Sequence, residues 1–121
     1  MKSVEQLKPN FAPSYLAMYP ELCRICQRHG YALAVHGSLA RDFDLVAIPW
    51  AETVASHSEV LAEIEKTFVV NVIPPNPKGG YVWERKNHGR IAYTISVGFG
   101  ECAIDLSFMP AICVSSVPIC G

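Results

Sequence analysis

Residues 31–48 read Tyr-Ala-Leu-Ala-Val-His-Gly-Ser-Leu-Ala-Arg-Asp-Phe-Asp-Leu-Val-Ala-Ile, and this stretch decides the fold. Residues 31–36 are short, mostly apolar and run into Gly37-Ser38, so a strand is expected there. Residues 43–48 predict a second strand, stopped by Pro49. Only one turn of helix fits between them, over Ser38 to Arg41. On a strand, side chains alternate between faces, so Asp42 and Asp44 project together while Phe43 and Leu45 take the other side.

Outward from this stretch the chain alternates helical and extended patterns. Pro13 opens a helical pattern that runs to about His29. Its apolar stripe is Tyr15, Leu16, Tyr19, Leu22, Cys23 and Cys26. Pro20 lies inside it and is expected to start, break or kink the helix. Gly30 suits its C-terminal stop. Ser56-His-Ser-Glu59 matches a capping box, and Val60, Leu61, Ile64 and Phe68 follow at helical spacing, so residues 56–67 are expected as a helix. Residues 68–73 are rich in β-branched side chains and read as a strand. Pro74-Pro75-Asn76-Pro77-Lys78-Gly79-Gly80 is a loop, with the glycines of a mobile flap. Residues 91–97 and 102–109 predict a hairpin around Gly98-Phe99-Gly100, with Ile104, Leu106 and Phe108 on one face and Asp105 and Ser107 on the other.

This order predicts an α+β (or α/β-like) fold, a sheet with helices packed against it. The chain has 121 residues, half of them hydrophobic and 17% charged, enough for one domain with its own core. Residues 1–110 are read as that domain and residues 111–121 as an apolar tail, either a last strand or a partner surface. The formal net charge of −1 gives no strong case for duplex nucleic acid, which normally meets a basic face. Lys2, Glu5, Lys8, Glu21, Arg24 and Arg28 interrupt the first thirty residues, so neither a signal peptide nor a membrane span is expected. Five cysteines form no regular framework, which predicts a reduced, cytoplasmic protein.

The chemistry concentrates at Gly37-Ser38, Asp42, Asp44 and Asp105. A glycine at a strand end lets backbone approach a ligand, and the serine hydroxyl with the N–H groups of the next turn can grip phosphate. Adjacent carboxylates repel, and a hard divalent cation with oxygen ligands is the usual remedy. Sheet pairing can bring Asp105 beside Asp42 and Asp44, as a third metal ligand or as a base for an attacking hydroxyl. Taken singly, each acid also fits a solvated strand position.

Gly-Ser, then Asp-x-Asp, then a lone Asp on a later strand resembles the nucleotidyltransferase (polymerase-beta-like) superfamily over roughly residues 30–110. The resemblance implies a minimal mixed sheet of that kind. It implies a nucleoside triphosphate held at Gly37 and Ser38, and Mg²⁺ (or Mn²⁺) held by Asp42, Asp44 and Asp105. A nucleoside monophosphate would then pass to a hydroxyl acceptor. The motif is compressed: only Leu39, Ala40 and Arg41 separate Gly-Ser from Asp42. It is also similar in wording to small uncharacterised phage and prophage proteins. A nucleotide- or protein-binding module without turnover is the competing expectation.

Arg41 beside the acids, and Arg90, are candidate phosphate contacts. Arg85, Lys86, His88 and Arg90, interleaved with Tyr81 and Trp83, could stack a base and bind phosphate, or form a solvated loop. Cys23-x-x-Cys26 lies late in a helical pattern and reads as packing. His36 reads as a packed strand-end histidine beside the site.

Overall fold

A computed structural model describes residues 11–37, 42–98 and 102–111. The order is α1 (Ala12–Arg28), β1 (Tyr31–His36), β2 (Asp42–Pro49), α2 (His57–Phe68), β3 (Asn71–Ile73), β4 (Glu84–Arg85), a 3-10 turn at Asn87–Gly89, β5 (Ile91–Ser96) and β6 (Ala103–Phe108). The strands form one mixed sheet in the order β1-β2-β6-β5-β3, with β4 also paired to β5. The class is α+β. Among the described residues every strand pairing is antiparallel except β2 with β6. Among the described residues no helix is long and apolar enough to cross a membrane.

One sheet face is the core. Phe43, Leu45 and Ala47 of β2, Ile104, Leu106 and Phe108 of β6, and Tyr93 and Ile95 of β5 are buried there. Tyr15, Leu22, Ile25 and Cys26 of α1 and Val60, Leu61 and Ile64 of α2 complete the same cluster. Tyr15 stacks on Phe43 at 4.8 Å between ring centroids. Burying a side chain of that size contributes about 1.5–3 kcal/mol, so Phe43→Ala would cost more than most single changes. The helices therefore claim the odd-numbered side chains of β2, which leaves Asp42 and Asp44 on the open face.

Pro13 stands in the first turn of α1 as expected. Pro20 neither starts nor breaks the helix, which is continuous from Ala12 to Arg28. Pro20 and Leu16 lie on the exposed side, so the carbonyl that loses its bond is within reach of water. Gly30 adopts φ +94°, and a Cβ there would stand 3.0 Å from the Thr53 carbonyl oxygen. Ser56 caps α2 with the full reciprocal box to Glu59.

The strand expected over residues 68–73 is shorter. Phe68 ends α2, Val69 turns the chain at φ +55°, and only Asn71–Ile73 is extended. Glu65 stabilises this arrangement by accepting from the Val72 N–H at 2.8 Å. The second strand is slightly longer than expected and includes both Asp42 and Pro49. The predicted hairpin is present as β5 and β6, while Phe99 and Gly100 at its tip lie outside the described residues. The expected helical turn at 38–41 and nearly all of the 111–121 tail lie outside them too.

Candidate functional site

The parallel pairing of β2 with β6 places Asp44 directly beside Asp105. The antiparallel pairing on the other side of β2 places His36 opposite Asp44, and β5 places Thr94 opposite Asp105. Register partners share a face, so His36, Asp44, Asp105 and Thr94 form a row across four strands. Neighbouring strands stand about 4.8 Å apart, which brings the two carboxylates side by side. Asp42 precedes Asp44 by two residues and projects from the same face, about 7 Å along the strand. It is exposed, and its partner on β6 is Ala103.

A cavity of about 200 Å³ opens over this row, lined by His36, Asp44, Lys86, Arg90, Asp105 and Ser107. Two elements supply its cations. Lys86 follows β4 and Arg90 precedes β5, and the Lys86 N–H donates to the Arg90 carbonyl at 2.8 Å, which closes the intervening turn. Arg90 is anchored below by the Ser107 hydroxyl, which accepts from its Nη1 at 3.3 Å. Ser107 is buried on the acid face and its hydroxyl donates to the Leu45 carbonyl at 3.4 Å.

Burial pushes the Asp105 carboxyl above its ordinary range, and the charge of Asp44 adds to the rise. Lys86 opposes it, while Asp42 and Glu84 add smaller repulsions. Lys86 is divided, since its Nζ also meets Glu84 Oε1 at 3.4 Å. The cavity thus carries a carboxyl pair that either holds a proton or welcomes a cation.

Gly37 closes the site at the end of β1. Its φ is +89°, and a Cβ there would stand 2.6 Å from Asp44 Oδ2. The space that a side chain at residue 37 would need is thus taken by the Asp44 carboxylate. Ser38 and Arg41, the other two expected phosphate contacts, lie outside the described residues.

Asp44 and Asp105, two hard carboxylates under mutual repulsion, are the residues that could supply oxygen ligands to a divalent cation. Among the described residues no group of three or more His, Cys, Asp and Glu side chains is placed to hold a metal ion. Asp42 is the acid of the expected triad that stands outside the cavity lining.

Several sequence readings change with this geometry. His36 is exposed and lines the cavity, rather than being packed at a strand end. Lys86 enters beside Arg90, although its stretch also read as a solvated loop. Tyr81 is turned away, donating its hydroxyl to Glu65 Oε1 on α2 at 2.8 Å, so it offers no face to a base here. Arg85 lines a different cavity. Ser107 was legible only as the second polar position in Asp-Leu-Ser. Cys26 is buried, with its thiol pushed up to about 12 by that burial, which makes it a packing residue.

Comparison with known proteins finds no matching family model, no similar curated protein and no similar solved structure.

Proposed function

We propose that the chain is a compact nucleotidyltransferase that moves a nucleoside monophosphate from an NTP to a hydroxyl acceptor. The observation that carries this reading is the register pairing of Asp44 with Asp105 in one cavity, with the Gly37 turn against Asp44. Mg²⁺ or Mn²⁺, when bound, would neutralise triphosphate charge and polarise the phosphorus under attack. Asp44 and Asp105 would hold it, and Asp42 adds a further carboxylate on the same face of β2. Lys86 and Arg90 bring positive charge to the same space and would draw the phosphates in. Ser38 and Arg41 are proposed as further phosphate contacts from the sequence resemblance alone.

In the transfer, the acceptor oxygen bonds to the α-phosphorus while the bond from that phosphorus to the bridging oxygen breaks. Pyrophosphate leaves with the bond's electrons. The hydroxyl proton would pass to Asp105, which faces the same cavity.

The test is thermal unfolding with Mg²⁺ or Mn²⁺ and each NTP, on the wild type and Asp44→Ala, followed by pyrophosphate release with candidate acceptors. A ligand that binds only the native state stabilises it by about 2.7 kcal/mol at a hundred times its dissociation constant. A metal-dependent NTP shift that disappears in Asp44→Ala supports the reading; no shift with any NTP overturns it.

The exposed position of Asp42, outside the cavity lining, favours a second reading. The same cavity would then hold a nucleotide without turnover. Asp105→Asn separates the two. A binder keeps its nucleotide shift in that variant, whereas the enzyme loses pyrophosphate release.

A further inference from the structure

Among the described residues β1 (Tyr31–His36) is an outer strand, paired with β2 and with nothing on its other side. The register shows which of its backbone groups face outward. Pro49, opposite Tyr31, has no N–H to give, while at the next pair along Trp50 donates to the Gly30 carbonyl at 3.0 Å. Bonded and unbonded pairs alternate in an antiparallel ladder. Ala32, Ala34 and His36 therefore bond to β2, and Tyr31, Leu33 and Val35 turn their N–H and C=O groups away from the sheet. The Leu33 carbonyl accepts from the Tyr19 hydroxyl at 2.9 Å. Among the described residues nothing else bonds to that outward row.

The two sides of the sheet are finished differently. On the far side β3 has three residues and runs into Pro74, and β4 has two, both charged. Short strands, charges and proline are the usual protection of an open edge. β1 has none of these: it is six residues long, with no Asp, Glu, Lys, Arg or Pro.

The surface along this edge is apolar. A groove of about 350 Å³ lies beside it, lined by Cys23 and Gln27 of α1, by Tyr31, Ala32 and Leu33, and by Trp50. Leu16 stands two turns before Cys23, on the same flank of α1. Leu16 is 55% exposed, Trp50 61% and Val35 36%, so large apolar side chains border an unpaired backbone. The nearby charges on α1, Glu21 and Arg24, are spent on each other at 2.8 Å. Such an edge carries no charge with which to select a foreign segment. It fits an uncharged extended strand, and β1 is itself one. About a two-fold axis at Leu33, Tyr31 of each copy meets Val35 of the other and Leu33 meets Leu33, so every outward N–H faces an outward carbonyl.

We propose that two copies of the chain join along β1, antiparallel about Leu33, into one continuous sheet with both α1 helices on the same side. The surface is independent of the nucleotide reading, since Asp44 and Asp105 belong to β2 and β6.

The experiment measures molecular mass by sedimentation from micromolar to millimolar concentration, together with amide exchange at Leu33. Wild type, Val35→Lys and Val35→Pro are compared. Lysine puts a charge on the edge, and proline removes an outward N–H while sparing the bonds to β2. Exchange at Ile104, buried in the core, reports that each variant is folded. The expected result is a wild type of twice the chain's mass, in which Leu33 exchange slows as concentration rises. Both variants should show the mass of one chain and a freely exchanging Leu33, with Ile104 still protected. Where a variant loses Ile104 protection, the concentration dependence of Leu33 in wild type decides alone. A single chain's mass with free Leu33 exchange at every concentration overturns the proposal. So does a protected Leu33 at a single chain's mass, because the chain then covers its own edge. A dimer that both folded variants leave intact also overturns it, because the contact then lies elsewhere.

Discussion

Gly37 leaves Asp44 the space that any side chain there would claim: a Cβ on Gly37 would stand 2.6 Å from Asp44 Oδ2. The atom met is the end of a side chain, so Gly37→Ala would displace the carboxylate rather than the strand. The substitution also places a Cβ at φ +89°, a left-handed conformation that costs an L-residue roughly 1–2 kcal/mol. Urea unfolding should show that loss. Metal-dependent NTP stabilisation should fall further than the stability loss accounts for, because Asp44 has moved.

Asp105→Asn should raise stability at neutral pH. The native Asp105 carboxyl titrates above its unfolded value, chiefly from burial and then from the charge of Asp44. Its contribution to stability is therefore fully present below the unfolded pKa, about 3.9, and is lost as pH rises through the native value. Above that point the wild type carries a buried, repelled charge that the amide lacks. The Tm of the variant should exceed that of wild type at pH 7. The gap should close near pH 4. Glu63 has the opposite sign, since Arg28 and His29 hold its carboxyl low, so its stabilisation is lost in acid. The comparison between variant and wild type cancels that background.

Tyr15→Phe tests how β6 is anchored. The Tyr15 hydroxyl donates to the Ala103 carbonyl and accepts from the Ala103 N–H, both at 3.2 Å. Phenylalanine preserves the stack on Phe43 and removes both bonds. A loss of about 1–3 kcal/mol in urea unfolding is expected, the cost of leaving such backbone groups unmatched. Amide exchange at Ala103 should accelerate well before the core strands respond.

Ser56→Ala removes the N-cap of α2, whose hydroxyl accepts from the Glu59 N–H at 3.2 Å. A loss of about 1 kcal/mol is expected. Nucleotide-dependent stabilisation should be unchanged, because Ser56 lines the other cavity.

Much of the fold was legible where local chemistry is decisive. The capping box at Ser56–Glu59, the stripe Tyr15–Leu22–Cys26 and the alternation Ile104–Asp105–Leu106 each specify their own geometry within a few residues. Residues 68–70 misled because β-branched composition favours extended chain, while Phe68 packs against the core as the last residue of α2. Pro20 misled in the other direction, since an exposed helix flank tolerates the missing bond. At the site, Asp44 and Asp105 could be named from sequence and their meeting expected, but not the strand pairing that brings it about. No local signal says that β6 inserts beside β2 in parallel. Ser107 was hidden for the same reason: its role arises only from neighbours supplied by other strands.

That parallel pairing also orders events during synthesis. Residues 44 and 105 are 61 positions apart in the chain yet adjacent in the sheet. The β1–β2 pair can close as soon as it leaves the ribosome, whereas the β2–β6 edge must wait until residues 103–108 have emerged and for the closure of a long loop. Until then β2 presents an unpaired edge, with Asp44 and Asp42 set among Phe43 and Leu45. Those charges act as gatekeepers on a nascent strand that would otherwise invite association with another copy. The carboxylates that define the mature cavity thus also protect the unfinished chain.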